Sequence, residues 1–117
     1  MKKVEEIERI DLEQRKYISA IVTELMSNND LFAKNIFKTH YISHYGQSLD
    51  VYLFFKTNFE LNRNTLNGNV EKMKSLIISM LKDRGYFNLF ASEIRFDFDS
   101  DENIQIKFKG NYFFKYR

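Results

Sequence analysis

The sequence predicts an α+β fold: a two-layer domain over residues 1–117 in which a four-stranded, mostly antiparallel sheet carries two helices on one face, in the order α-β-β-α-β-β. Three patterns predict it. From Glu93 onward residue types alternate with a period of two, with Ile94, Phe96 and Phe98 on one face and Arg95, Asp97 and Asp99 on the other. Leu49, Val51, Leu53 and Phe55 alternate in the same way with Asp50, Tyr52, Phe54 and Lys56. Two further stretches, around Ile21 and around Ile77, place their apolar residues three and four apart, the spacing of an amphipathic helix.

Taken in order, residues 2–28 predict a helix. Tyr17, Ile18, Ile21, Val22, Leu25 and Met26 form its buried stripe, and Val4, Ile7 and Ile10 continue it upstream. Asp11 followed by Gln14 resembles a capping box, so the helix is expected to restart at Asp11. Residues 36–45 are rich in aromatic and β-branched types and predict a strand. Gly46-Gln47-Ser48 signals a turn into a second strand, partly apolar on both faces and therefore central or covered on both sides. Residues 58–69 hold five asparagines and Gly68, and predict a loop, the alternative being a strand that continues through Phe59 and Leu61. Val70, Met73, Leu76, Ile77, Met80 and Leu81 mark the second helix, with Asn69 as N-cap and Gly85 as the left-handed residue past its end.

The last quarter predicts a hairpin. Ile94 to Asp99 would turn at Ser100-Asp101-Glu102-Asn103 into a second strand, where Ile104, Ile106 and Phe108 oppose Gln105, Lys107 and Lys109. A turn at Gly110-Asn111 would put Lys115 and Arg117 on the core face. A straight strand over 104–116, kinked at Gly110, keeps them outside and is the reading polarity favours. Leu76, Ile77, Met80, Ile21, Leu25, Leu53, Phe96 and Ile106 are the expected core.

Composition narrows the class. The chain is 44% hydrophobic and 16% aromatic, too apolar for a disordered segment. Zero cysteines exclude disulfides and Cys-ligated zinc or iron–sulfur centres, and suit a reducing cytoplasm. The sequence holds no apolar run of about 18 residues, so no membrane span is expected. Met1-Lys2-Lys3-Val4-Glu5-Glu6 lacks the apolar stretch of a secretory leader. A net charge of +2 does not by itself imply a polyanionic partner.

No catalytic motif accompanies these patterns, and no catalytic residue, cofactor or metal ligand is assigned. Asp97, Asp99 and Asp101 have the spacing that opens a calcium loop, but Glu102 stands where glycine is needed and Phe108 where a bidentate glutamate is needed. His40 and His44 would lie about 13 Å apart on a strand, too far to share an ion. Neither a G-x-S-x-G elbow nor a glycine-rich phosphate loop occurs. One charged constellation stands out: Lys107, Lys109, Lys115 and Arg117 would share the outward face of the last strand with Phe113, an arrangement that could follow phosphates and stack a base. Against it, acids balance the cations overall, and an alternating solvated face explains the same pattern.

The tail resembles the ending of small bacterial proteins encoded by mobile integron gene cassettes. Phe98-Asp99-Ser100, Glu102-Asn103 and Gly110-Asn111-Tyr112-Phe113 carry that resemblance, over less than a fifth of the chain. Phe114 and Lys115 depart from the pattern. The resemblance implies a compact cytoplasmic accessory protein, some of whose kind resemble immunity proteins or antitoxins that act by occluding a partner. The first expectation is therefore a non-enzymatic protein-interaction module. Single-stranded nucleic-acid binding through the basic last strand is the second, and a ligand pocket or enzyme site between sheet and helices is the third. A homodimer is also expected. Tyr52, Phe54 and Phe113 would form one exposed patch on the sheet face away from the helices, beside a long unpaired strand.

Overall fold

The computed structural model describes residues 4–91 and 93–116. Among the described residues it contains three strands and seven helices, ordered α1 (Val4–Asn28), α2 (Asp30–Asn35), β1 (Lys38–His44), β2 (Ser48–Phe55), α3 (Asn58–Leu66), α4 (Asn69–Asp83), α5 (Tyr86–Leu89), β3 (Glu93–Ser100), α6 (Asp101–Phe108) and α7 (Tyr112–Lys115). The sheet has the order β1-β2-β3. β1 and β2 pair antiparallel, while β2 and β3 pair parallel, with Val51 opposite Phe96 and Leu53 opposite Phe98.

This corrects the four-stranded, mostly antiparallel expectation. Glu93–Ser100 is a strand, but no hairpin follows it. The chain between β2 and β3 is helical, and a helical crossover returns a strand parallel to its predecessor. Residues 104–116 form α6 and α7. Ser100 caps α6, its hydroxyl accepting from the Asn103 N–H at 3.0 Å, and Asp101 and Glu102 occupy the first turn where the helix dipole favours anions. Over so short a segment, alternation and helical spacing coincide at Ile104 and Phe108, and the cap decides. Ile104 is fully buried, whereas Ile106, expected in the core, is 70% exposed.

The expected loop at 58–69 is likewise α3. Thr57 accepts from the Glu60 N–H at 3.1 Å, so Thr57-Asn58-Phe59-Glu60 begins as a capping box does. The residue before α4 is Gly68, left-handed at φ +85°, and Asn69 instead donates to the Asn64 side chain at 2.7 Å. Gly85, at φ +82°, does hold the left-handed position after α4.

β2 is the central strand and is covered on both faces. Leu49, Val51, Leu53 and Phe55 point into the main core, against Ile18, Ile21, Val22 and Leu25 of α1, Phe32 of α2, Met73, Ile77 and Leu81 of α4, and Tyr86 of α5. α1 and α4 thus pack on one face, as their stripes predict. Ile21, Leu25, Leu53 and Ile77 are buried as expected, while Leu76, Met80 and Phe96 sit half-buried at its margin. The other face of β2 carries Ser48, Asp50, Tyr52 and Phe54, and α6–α7 fold back over its Tyr52–Phe54 end.

α1 runs without a break through Asp11. The side chains expected to cap a restarted helix instead hold the β1–β2 turn. Asp11 Oδ1 accepts from the Tyr45 N–H at 2.7 Å and Gln14 Oε1 from the Gly46 N–H at 3.2 Å. Gln14 is fully buried, and its Nε2 also donates to the Ser48 carbonyl and the Tyr86 hydroxyl. The turn itself is left-handed at two successive residues, Tyr45 (φ +54°) and Gly46 (φ +79°), the conformation that matches the twist of a tight hairpin. A tyrosine is strained there. Tyr45→Asn, which keeps the N–H bonded to Asp11, is expected to raise unfolding stability by about 0.5–1 kcal/mol in urea denaturation.

Candidate interaction site

The residues expected to form an exposed aromatic patch are divided by the tail. Phe54 is fully buried. The Tyr112 ring packs edge-on against it at 4.8 Å, and Tyr116 covers Tyr52 at 4.5 Å. Phe113 turns away and is 78% exposed. The three rings therefore do not share a surface: two belong to the chain's internal packing and one stands alone on α7. Helical geometry puts Tyr112 and Tyr116, four residues apart, on one side, with Phe113 turned about 100° away from Tyr112.

The expected basic stripe is also dispersed. Lys115 Nζ lies 2.8 Å from Asp99 Oδ2 and 3.2 Å from Asp97 Oδ2, with 13% of its side chain exposed. Burial disfavours the ammonium, but the bonds to Asp99 and Asp97 outweigh it and hold the Lys115 pKa above its ordinary value. Lys107 is exposed on α6, Lys109 is its left-handed C-cap, and Arg117 lies outside the described residues. The three acids with calcium-loop spacing are likewise engaged. Asp97 and Asp99 hold Lys115, and Asp101 accepts from the Tyr112 hydroxyl and lies 3.7 Å from Lys56 Nζ. No group of three or more His, Cys, Asp or Glu side chains poised for a metal occurs among the described residues.

At the far end of the same face is a second polar cluster. His44 Nε2 and Arg95 Nε reach the two Asp50 oxygens at 2.9 and 2.6 Å. Burial would raise the Asp50 pKa, but Arg95 and then His44 more than offset it, so the carboxyl ionises below its ordinary value. The cluster ties β1, β2 and β3 together across the sheet, and its acid–base groups are satisfied by one another.

A more open surface lies where sequence patterns gave no signal, between α1 and β1. β1 is an outermost strand, and none of its seven residues is buried. α1 passes beside it and leaves a depression of about 630 Å³, lined by Leu12, Arg15, Lys16, Ser19, Ala20 and Tyr41. Five of these residues form the outward face of α1, and the small side chains of Ser19 and Ala20 keep its floor low. Lys16 lies 3.6 Å from Glu13, and Arg15 Nε donates to the Asp11 carbonyl at 3.4 Å. Between the sheet and its helices, Leu49, Leu53 and Phe55 are fully buried. Among the described residues, no helix is long and apolar enough to cross a membrane.

No protein-family model, curated protein or solved structure matches this chain. Function therefore rests on the surfaces themselves.

Proposed function

We propose that this chain is a protein-interaction module that takes an extended, acidic segment of its partner along the open side of β1, and that it acts by occupying the partner. The observation that carries this reading is the juxtaposition of an outermost, unburied strand with the α1 depression. An added strand would pair its backbone with β1, and alternate side chains would lie over Leu12, Ala20 and Tyr41. Arg15 and Lys16 favour carboxylates there. β3, the other outermost strand, alternates Glu93, Arg95 and Asp97 on one face, the kind of charge that discourages edge pairing. Occlusion of a partner agrees with the immunity- or antitoxin-like role that the cassette-type ending implies, and zero cysteines suit a reducing cytoplasm. A second copy of the chain is the alternative occupant, joined through β1 about a two-fold axis.

Two measurements test this. Ala20→Glu places a carboxylate among the cations of the depression at an exposed helical site, and the thermal melt should not change. Affinity capture with the wild-type chain should retain a protein whose binding falls at least about tenfold with the Ala20→Glu bait. Equal capture by both baits, or nothing retained above a blank resin, would refute the module. Light scattering decides the occupant, since a mass of twice the chain that Thr39→Pro reduces to one would assign the edge to self-association.

A further inference from the structure

The tail that covers Tyr52 and Phe54 buries few apolar side chains of its own. α7 has no buried residue, and Ile104 is the one fully buried side chain of α6–α7. Local opening is least costly where few apolar contacts are lost. Its polar ties run from Lys115 to Asp97 and Asp99 of β3, and its tyrosine rings gather around one side chain of β1. The His40 ring lies 5.5 Å from Tyr112, 5.9 Å from Tyr116 and 5.9 Å from Phe54, between the sheet and the cover.

Two polar atoms beneath the cover are buried without a hydrogen-bond partner among the described residues, His40 Nε2 and the Tyr116 hydroxyl. A neutral imidazole can leave one nitrogen bare at modest cost. An imidazolium in the half-buried ring would carry a proton on the buried Nε2 with no acceptor for it among the described residues. The groups that face it do not relieve that cost. From β1 comes a second cation, Lys38, whose ammonium lies 4.2 Å from the centre of the Tyr112 ring. Tyr52 comes from β2, and Tyr112 and Tyr116 from α7. Of the acids around that face, Asp97 and Asp99 of β3 are occupied by Lys115, Asp50 of β2 by Arg95 and His44, and Asp101 of α6 by the Tyr112 hydroxyl and Lys56. Burial first, and Lys38 second, hold the His40 pKa below its ordinary 6.5.

We propose that α6–α7 form a releasable cover on the second face of the sheet, lifted when His40 takes up a proton, and that its departure uncovers Tyr52 and Phe54 as an apolar surface. The proposal is independent of the β1 reading. The direction follows from linkage. In the open form His40 is solvated and titrates near the ordinary histidine value, whereas in the closed form it titrates lower, so protons favour the open form. Closure is strongest above about pH 6.5 and weakens as pH falls from there toward the closed-form pKa. Within that window the open-to-closed ratio rises up to about tenfold per pH unit.

Hydrogen–deuterium exchange of the full chain at about pH 7.5 and about pH 5.5, corrected for intrinsic rates, reads this directly. Peptides from 101–116 should lose protection at the lower pH, by up to about tenfold, while those from β2 and α4 keep theirs. His40→Leu, which cannot be protonated, should hold the tail protected at both values. His40→Gln gives the same readout should the leucine variant fail to fold. Tail protection that does not change with pH in the wild type, or that falls equally in the variants, would overturn the switch.

Discussion

Gln14→Leu is expected to destabilise the fold by about 3 kcal/mol, although leucine is close in size and better suited to a buried helix face. Gln14 is fully buried, and its amide makes three bonds: from the Gly46 N–H, to the Ser48 carbonyl and to the Tyr86 hydroxyl. Each partner stranded away from water costs about 1–3 kcal/mol, and relaxation of the half-buried turn recovers part of the sum. Gln14→Glu separates charge from shape: it keeps an acceptor for Gly46 but offers no donor to Ser48 or Tyr86 near neutral pH. Urea denaturation should place Gln14→Glu below the wild type at neutral pH and closer to it in mild acid, where a protonated carboxyl can donate. A loss below about 0.5 kcal/mol for Gln14→Leu would show that water reaches these groups.

Phe54→Ala is expected to cost about 3–5 kcal/mol, the range for truncating a fully buried aromatic side chain. A surface phenylalanine would cost roughly nothing, so the substitution separates a covered second face from an open one. Phe113→Ala is the matched control at 78% exposure and should fall within about 0.5 kcal/mol of the wild type. Because Tyr112 rests on Phe54, the variant should also raise proteolytic cleavage around Gly110 at neutral pH. Equal stabilities for the two variants would place Phe54 outside the core.

The contrast between Phe54 and Phe113 shows where sequence legibility ended. Alternation along 49–55 specified β2 as a central strand with apolar residues on both faces, because backbone pleating alone sets that period. It did not say what lay over the second face. That depended on whether residues 101–116 continued as a strand or turned into helices, and the apolar pattern over Ile104 to Phe108 fits both periods. Ser100 followed by two acids, and Thr57 followed three residues later by Glu60, were legible helix starts masked by acidic-turn and asparagine-loop patterns.

What the sequence by itself determined is the set of elements whose own periodicity is long enough to be unambiguous: α1, α4, β2 and β3, together with the left-handed Gly85. Local sterics and a single buried stripe suffice for each of these. The tertiary structure alone decided the partners. Parallel pairing of β2 with β3 follows from the helical crossover between them. Asp11 and Gln14 serve a turn more than thirty residues away, and Lys115 is drawn off a basic surface by Asp97 and Asp99. The open side of β1 beside α1, which carries the proposed function, is visible only once the strand order is known. Long-range pairing depends on which surfaces meet after every element has buried its best face, and no window of neighbouring residues contains that information.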